Sequence, residues 1–413
     1  MIDAINVATS GMLGNERALN VISNNVSNLN TPGFRGSEVS FANVFSGSGQ
    51  NGGQSDPFAA QQSPGGGVDA SRTNLSTQAG AKQQTGNSLD LFLQGEGFFV
   101  LEDQNGATRY TREGSFSFNS DQVLVAKDAP TGQTLTVMSR DANGNLVPIT
   151  LKSLQTSAAK PTTTVVFGQN LSPTDSDFSV TPVTVYDSAG TAHTLKVEFV
   201  KDSTPVGSQQ ATVSWTLNVF EGSTQVGTSD VPFNSQNAVV PGFSPLPVTL
   251  TLQGTSPVDI SFDFDQVTGQ SQGVSDPTGQ TTNSTLSVTS QDGVGLGTPT
   301  SETFDTKGVL QVTYSNGQTA AGAQLVFAQV ADQSGMVELG NSLLEYHGTQ
   351  PVVLRNAAAD LQVVAQNLEG SNVDLTTEFS TLILMQRGYQ GSSQVVSTAN
   401  DMLQQLLSIR GNR

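Results

Sequence analysis

The chain lacks cysteine and has very little histidine or tryptophan. Its 413 residues include no cysteine, two histidines and one tryptophan. Disulfide bonds and thiol catalysis are therefore excluded, and a zinc site would find few of its usual ligands. We expect no metal and no cofactor.

Positive charge and long apolar runs are also scarce. The chain has 17 lysines and arginines against 35 aspartates and glutamates, a net charge of −18. This charge repels phosphate and predicts no nucleic-acid partner. No apolar run approaches the roughly 18 residues of a membrane helix, and Met1–Ala4 lacks the basic start of a signal peptide. We expect a soluble protein without membrane insertion, either cytoplasmic or exported without a cleaved signal.

The strongest pattern that is present lies at the C-terminus, from about Ser371 to Leu407. Apolar residues recur there every seven positions, and others follow three positions later. Such spacing predicts a long amphipathic helix that buries one seam against a partner. Asn372 or Asp374 can cap its start. The predicted seam consists of Leu375, Leu382, Met385, Tyr389, Val396, Leu403 and Leu406.

A matching pattern begins at the N-terminus. It predicts a second amphipathic helix of roughly 25 residues. Pro32 and Gly33 would end it, because proline disfavours the helical conformation of the residue before it. The equal spacing predicts that the two helices pair, either parallel or antiparallel; the alternative is two unrelated core helices. The N-terminal seam consists of Ile5, Met12, Leu19, Ile22, Val26 and Leu29.

Between the helices the sequence favours strands and turns. Residues 34–86 are rich in glycine and serine and predict an extended linker. Residues 87–157 and 304–370 predict an inner β domain, and residues 158–303 an inserted, acidic outer domain of sandwich or barrel type. Residues 1–33 and 371–413 would form a coiled-coil-like pair. The predicted fold class is therefore mainly β with helical termini.

No arrangement of side chains indicates catalysis. His193 and His347 are far apart in the sequence, and no cysteine supplements them. Asp263 and Asp265 would share one face of a strand, where a carboxylate pair could serve glycoside hydrolysis, but a solvated strand face explains them better. We predict no enzyme and no catalytic, cofactor-binding or metal-binding residue. A β-rich extracellular adhesin is an alternative for the middle of the chain, although it leaves the two terminal helices unexplained.

Four motifs, in order along the chain, resemble the rod and hook family of bacterial flagellar axial proteins. The first spans residues 24–35, and the last spans residues 371–404. Residues 93–100 and 110–116 resemble the family's shared inner domain, and residues 185–195 resemble the outer domain of its hook members. The first and last motifs include Asn28, Asn30, Thr31, Pro32, Gly33 and Phe34, and Gln386 and Arg387.

The resemblance implies a structural subunit of the flagellar hook. Such subunits polymerise into a curved, flexible tube outside the cell that acts as a universal joint between rod and filament. The implied partners are further copies of the chain, the distal rod protein, the hook cap and the hook–filament junction proteins. Export would use the flagellar type III apparatus without a cleaved signal. A distal rod or hook-associated protein of the same family is the alternative.

Overall fold

A computed structural model describes residues 2–44, 66–127, 133–141, 143–172, 175–203, 211–234, 239–252, 257–268 and 283–411. A helix stands at each end of the chain. Helix α1 spans Ile2–Ser27 and α2 spans Leu375–Gly411. Strands dominate between them, so the predicted class of a mainly β chain with helical termini is confirmed.

The strands are numbered in chain order. The first ten are β1 Ser37–Asn43, β2 Val68–Leu75, β3 Lys82–Gln84, β4 Leu91–Gln94, β5 Phe98–Glu102, β6 Thr108–Thr111, β7 Phe116–Phe118, β8 Leu124–Ala126, β9 Thr136–Arg140 and β10 Leu146–Pro148. The next eight are β11 Thr164–Asn170, β12 Asp177–Tyr186, β13 Ala192–Lys201, β14 Ala211–Glu221, β15 Thr224–Asn234, β16 Leu246–Leu250, β17 Val258–Thr268 and β18 Ser287–Gln291. The last nine are β19 Pro299–Phe304, β20 Val309–Tyr314, β21 Thr319–Gln324, β22 Phe327–Gln329, β23 Met336–Gly340, β24 Leu343–Tyr346, β25 Val353–Arg355, β26 Gln362–Ala365 and β27 Asn367–Glu369.

The chain divides into two compact units. The first contains Met1–Ser153, Ser301–Val312 and Ala321–Arg413, and the second contains Leu154–Thr300 and Thr313–Ala320. The helices, the segment predicted as a linker and the inner β strands thus share one unit, whereas the sequence suggested separate domains.

Residues 313–320 belong to the second unit through hydrogen bonds with its remaining residues. Asn316 Nδ2 donates to the carbonyl of Gly295 at 2.9 Å, and Ser157 Oγ donates to Gln318 Oε1 at 2.6 Å. The sequence offered no sign of these contacts, because all the groups involved are ordinary polar turn residues.

The first unit is built on a long sheet in the order β23-β24-β6-β5-β9-β8-β7. Its core contains Phe99 and Phe116, whose ring centroids lie 5.2 Å apart in an edge-to-face arrangement. The turn after β5 forms because Asp103 Oδ1 accepts hydrogen bonds from the amides of Asn105 and Ala107. Gly106 adopts the left-handed φ of +79° that the turn requires.

The second unit contains two four-stranded sheets, ordered β16-β17-β11-β18 and β12-β13-β14-β15. Side chains from both sheets share one hydrophobic core, which gives a sandwich. Burial alternates along β13, so one face of the strand packs on the core. Leu195, Val197 and Phe199 are buried, whereas Lys196 and Glu198 between them are half-buried. Strands β11 and β17 pair in parallel, with Val165 opposite Phe262.

The segment predicted as an extended linker contains a β pair. Strands β1 and β2 are antiparallel, with Val39 opposite Thr73. Val39 and Ala70 pack on Ala18 of α1. Most other side chains of the two strands are polar and exposed, so hydrophobic alternation is too weak to predict them. The glycine-rich stretch at 45–65 lies outside the described residues.

Candidate assembly surface

The two terminal helices pack side by side and run antiparallel. Asn25 contacts Glu378 near one end of the pair. Asn15 lies against Gly388 in the middle, and Gly11 lies against Ser392 further along. Since residue numbers fall along α1 as they rise along α2, the pair is antiparallel, which settles the orientation that the sequence left open.

Small residues let the helices approach closely in the middle of the pair. A Cβ added to Gly388 would lie 2.8 Å from Asn15 Oδ1, and one added to Gly11 would lie 3.1 Å from Ser392 Oγ. The Asn15 side chain is itself fixed, because its Nδ2 donates to the Gly11 carbonyl at 2.7 Å. The contact therefore uses glycine, serine and asparagine where the heptad pattern pointed to Tyr389.

The predicted α2 seam residues divide into two groups. Leu382, Met385, Val396 and Leu403 are half-buried along the helix pair. Leu375, Tyr389 and Leu406 are exposed by 37%, 37% and 50%. Only part of the predicted seam is thus covered within one chain.

The α1 seam is displaced toward smaller residues. Ile22 is buried, whereas Ile5, Met12, Leu19, Val26 and Leu29 are half-buried. A second set of α1 residues also follows the heptad spacing of three and four residues, and its side chains are mainly small or amides. Counting glycine, alanine and asparagine as contact residues would have found this set in the sequence. It consists of Gly11, Asn15, Ala18, Ile22 and Asn25.

One buried amide joins three segments at the base of the helix pair. Asn25 is 2% exposed. Its Nδ2 donates to the Ser37 carbonyl and to Glu378 Oε1, each at 2.8 Å, and its Oδ1 accepts from the Ser37 amide at 3.0 Å. Burial raises the pKa of Glu378, the bond from Asn25 opposes that rise, and the charges of Glu38 and Asp374 add to it.

The N-terminal motif packs where α1 gives way to the β strands. Gly33 has a left-handed φ of +69°, and a Cβ there would lie 2.4 Å from the Glu113 amide nitrogen. Its own amide donates to the Glu369 carbonyl at 2.7 Å. Phe34 is buried and Asn30 is exposed, whereas Asn28, Thr31 and Pro32 are half-buried. In the C-terminal motif, Gln386 and Arg387 are exposed on α2.

An apolar flank of α2 is open to solvent. Leu384 is 63% exposed, Val395 48%, Met402 51% and Leu406 50%. Successive members are separated by about three, two and one helical turns, so they lie on one side of the helix. We call these four residues the exposed flank. From Phe379 to Ser408 the only charged residues are Arg387 and Asp401, so little charge protects the flank from association.

The groups considered for catalysis have structural partners. His193 lies between Glu221 Oε1 at 2.6 Å and Asp187 Oδ2 at 3.4 Å. Asp263 accepts from the Ser244 hydroxyl at 3.1 Å and from the Asp265 amide at 2.9 Å. Within the described ranges, no group of three metal-ligating side chains occurs. Across those ranges, neither helix has a stretch apolar and long enough to span a bilayer.

Three segments of the chain match known protein families. Residues 5–35 match the family described as flagella basal body rod protein. Residues 92–158 match the flagellar hook protein FlgE/F/G D1 domain, and residues 364–409 match the flagellar basal body rod FlgEFG protein C-terminal region. These matches cover most of both helices and the strands from β5 to β10, and none describes an enzyme.

Relatives extend the similarity to the whole chain. The flagellar hook protein FlgE of Salmonella typhimurium is 28% identical, with 98% of this chain and 99% of that protein covered. The proteins of the same name from Escherichia coli and Treponema pallidum are each 28% identical, with 98% and 99% of this chain and 100% of each relative covered. The crystal structure of Helicobacter pylori flagellar hook protein FlgE2 gives a TM-score of 0.43 at 13% identity, covering 69% of this chain and 100% of that chain.

Proposed function

Because the chain belongs to the flagellar rod and hook family, it is a structural subunit of the bacterial flagellar hook, and we propose that it polymerises through its terminal helices. The hook lies outside the cell, so the subunit acts there. The surface that drives assembly is the exposed flank, supplemented by the exposed seam residues Leu375 and Tyr389.

The observation that carries this proposal is the half-covered state of α2. Packing on α1 covers one stripe of the helix and leaves the exposed flank in water. Transferring a large aliphatic side chain from water to a packed interface contributes about 1.5–3 kcal/mol when the transfer is complete. Four half-exposed side chains would therefore contribute several kcal/mol per subunit, which is enough to favour lengthwise association of helix pairs.

The partner helix comes from a second copy of the chain. Most polar residues on the exposed surface of α2 are uncharged. Examples are Gln390, Ser393, Ser397 and Gln404. Such a surface can approach identical neighbours without the repulsion that the acidic second unit would cause. The helix pairs would line the tube.

The second unit supplies flexibility. Its only basic residues in 158–303 are three lysines, so second units of neighbouring copies repel one another. Small polar contacts between such surfaces re-form at little cost, whereas packed apolar cores resist deformation. The tube would therefore bend at its outer surface while the helix contacts hold it together and transmit torque.

The proposed partners follow from the position of a hook in the flagellum. The first subunits would contact the distal rod protein, and the last would contact the hook cap and then the hook–filament junction proteins. Passage unfolded through the type III export apparatus fits a chain without cysteine, since no disulfide can form before or during export.

Thiol protection tests the proposed surface. The chain has no cysteine, so a single cysteine introduced by Met402→Cys provides a unique label on the exposed flank. The control Val200→Cys places a thiol at a position of the second unit that is 40% exposed. We expect maleimide to label both monomers and, in assembled tubes, only the Val200→Cys protein. Equal labelling of both tubes would contradict the proposal.

A further inference from the structure

Two buried arginines share one buried glutamate in the first unit. Arg35, Arg112 and Glu369 are 7%, 1% and 1% exposed. Arg112 Nε lies 2.9 Å from Glu369 Oε2, and Arg35 Nη2 lies 3.5 Å from Oε1. The cluster therefore buries a net charge of +1, and buried charge is costly unless it is paired.

The donors of the two guanidinium groups are incompletely used. Arg112 Nη2 donates to the Gly95 carbonyl at 2.8 Å, and Arg35 Nη1 donates to the Ser76 carbonyl at 3.3 Å. Arg112 Nη1 and Arg35 Nε have no hydrogen-bond partner among the described residues. Glu369 Oε1 also accepts from the Gly80 amide at 2.9 Å, so this carboxylate is shared among several donors.

A cavity of about 250 Å³ borders this cluster and is lined by both arginines. Its volume is several times the roughly 30 Å³ that one water molecule occupies in the liquid. Arg35, Arg112, Gln333 and the backbone of Gly95 and Gly97 line it. Both glycines have positive φ values, and a Cβ on Gly95 would lie 2.2 Å from the Asp360 carbonyl oxygen. Glycine at position 95 therefore allows the Asp360 backbone to approach closely.

We propose that this cavity is a binding site for an oxyanion, either a phosphate-like ion or a carboxylate. An anion there would lie beside the two guanidinium groups, and Gln333 could donate to one of its oxygens. Burial, together with the charge of Arg35, lowers the pKa of Arg112 to about 10 despite the opposing charge of Glu369. An anion in the cavity would reverse part of that effect by compensating the buried charge.

Glu96 sets the affinity. It lines the cavity, is exposed and raises the pKa of both arginines. It forms no ion pair with either arginine among the described residues. It therefore opposes an incoming anion without supplying the missing hydrogen bonds, and the site should bind with modest affinity.

The position gives the bound anion a structural role. Arg35 is the last residue of the N-terminal motif, Glu369 precedes α2, and Arg112 follows β6. An anion held between them would stiffen the junction at which both helices join the β strands. In the assembled tube, an acidic side chain of a second copy could supply the carboxylate, and in the monomer a free ion could do so.

Phosphate titration of the monomeric full chain tests the site. We expect saturable phosphate binding by calorimetry, together with a rise in the unfolding temperature that chloride at equal ionic strength does not reproduce. Glu96→Gln should bind phosphate several-fold more tightly, because it removes the rim charge. Arg112→Gln should bind at least tenfold more weakly. Lys201→Gln, which removes an exposed cation from the second unit, should leave affinity unchanged.

Two results would overturn the proposal. One is the absence of saturable binding in both the natural chain and Glu96→Gln, which would mean that the cavity holds only water. The other is equal affinity in the natural chain and Glu96→Gln, which would place the ion elsewhere. Glu96 is exposed, so this variant should fold even if Arg112→Gln does not.

A comparison of monomer and assembled tubes identifies the source of the anion. If phosphate binds the monomer but not the tube, a carboxylate of a neighbouring copy occupies the site after assembly. If both bind, the ligand is a free ion. This comparison rests on the proposed polymerisation, whereas the monomer titration stands without it.

Discussion

Asn25 of α1 and Glu378 of α2 are joined by a hydrogen bond of 2.8 Å between Nδ2 and Oε1. The same amide group also bonds both backbone groups of Ser37 at the start of β1. A single side chain thus fixes the helix register and the first strand together. Because it is 2% exposed, water cannot replace the bonds that it makes.

Replacing this amide should loosen the base of the helix pair. We expect Asn25→Ala to lower the free energy of unfolding by about 2–3 kcal/mol, because it leaves the Ser37 backbone and Glu378 without a buried partner. Thermal unfolding followed by circular dichroism at 222 nm measures the change. Asn20→Ala, at an exposed position of the same helix, should shift stability by less than about 0.5 kcal/mol. Equal effects of the two changes would contradict the role of Asn25.

Two glycines of α2 should respond oppositely to alanine. A Cβ at Gly391 meets nothing, so Gly391→Ala should stabilise the isolated chain by up to about 1 kcal/mol through helix propensity. At Gly388 the Cβ would press on the fixed Asn15 side chain, so Gly388→Ala should lose that gain and separate the helices. Urea unfolding of both monomers provides the comparison. Similar stabilisation by both changes would rule out the close approach.

Unfolding of the sandwich in the second unit can be followed separately, by tryptophan fluorescence. Trp215, the only tryptophan, is buried there. Phe262→Ala removes a fully buried ring that lies 5.7 Å from Phe167, and should cost about 3–5 kcal/mol. The fluorescence midpoint should fall, while the helix signal at 222 nm keeps its own midpoint. A common shift of both signals would show that the two units unfold together.

The stability of the sandwich should depend on pH through His193. Burial alone would lower its pKa, but hydrogen bonds to Glu221 and Asp187 raise it above the usual value. The imidazolium therefore contributes stability that is fully present below about pH 6.5, the unfolded value, and is lost as pH rises through the folded value. Urea unfolding between pH 5.5 and 9, followed by Trp215 fluorescence, should show this loss.

The matched variant isolates the histidine. His193→Gln keeps a side chain that can hydrogen-bond but cannot become charged, so its stability should be flatter over the same pH range. Asp187 affects stability at the low end of the pH range. Hydrogen bonds from Thr191, His193 and Ala189 outweigh the effect of its burial and lower its pKa. Its contribution is lost as pH falls through the folded value. Parallel pH curves for the natural chain and the variant would contradict the role of His193.

Strong local patterns predicted much of the fold. The seven-residue spacing predicted both terminal helices, and the strand and turn patterns predicted the strand-rich middle. The pair β1–β2 escaped prediction because it rests on two small apolar contacts, Val39 and Ala70. The parallel pairing of β11 with β17 also escaped, since nothing local records which distant strands meet.

Only part of the candidate surface could be predicted from the sequence. Large residues such as Leu382 and Met385 reveal a stripe, but Gly388 and Ser392 take part through their small size, which a search for apolar residues overlooks. The buried cluster escaped for a related reason, because Arg35, Arg112 and Glu369 have the composition of a solvated surface. Their burial depends on chain segments that are hundreds of residues apart.

The most direct test of the central proposal compares the assembly of two variants that are substituted at nearby positions of α2. Met402→Asp places a charge on the exposed flank, and Gln404→Asp places the same charge about 160° around the helix. Both positions are exposed, so both monomers should remain folded.

Sedimentation and electron microscopy across a concentration series measure the result. We expect the Met402→Asp protein to remain monomeric at concentrations at least tenfold above those at which the natural chain and Gln404→Asp form tubes. Tubes from Met402→Asp at the natural concentration would contradict assembly through the exposed flank.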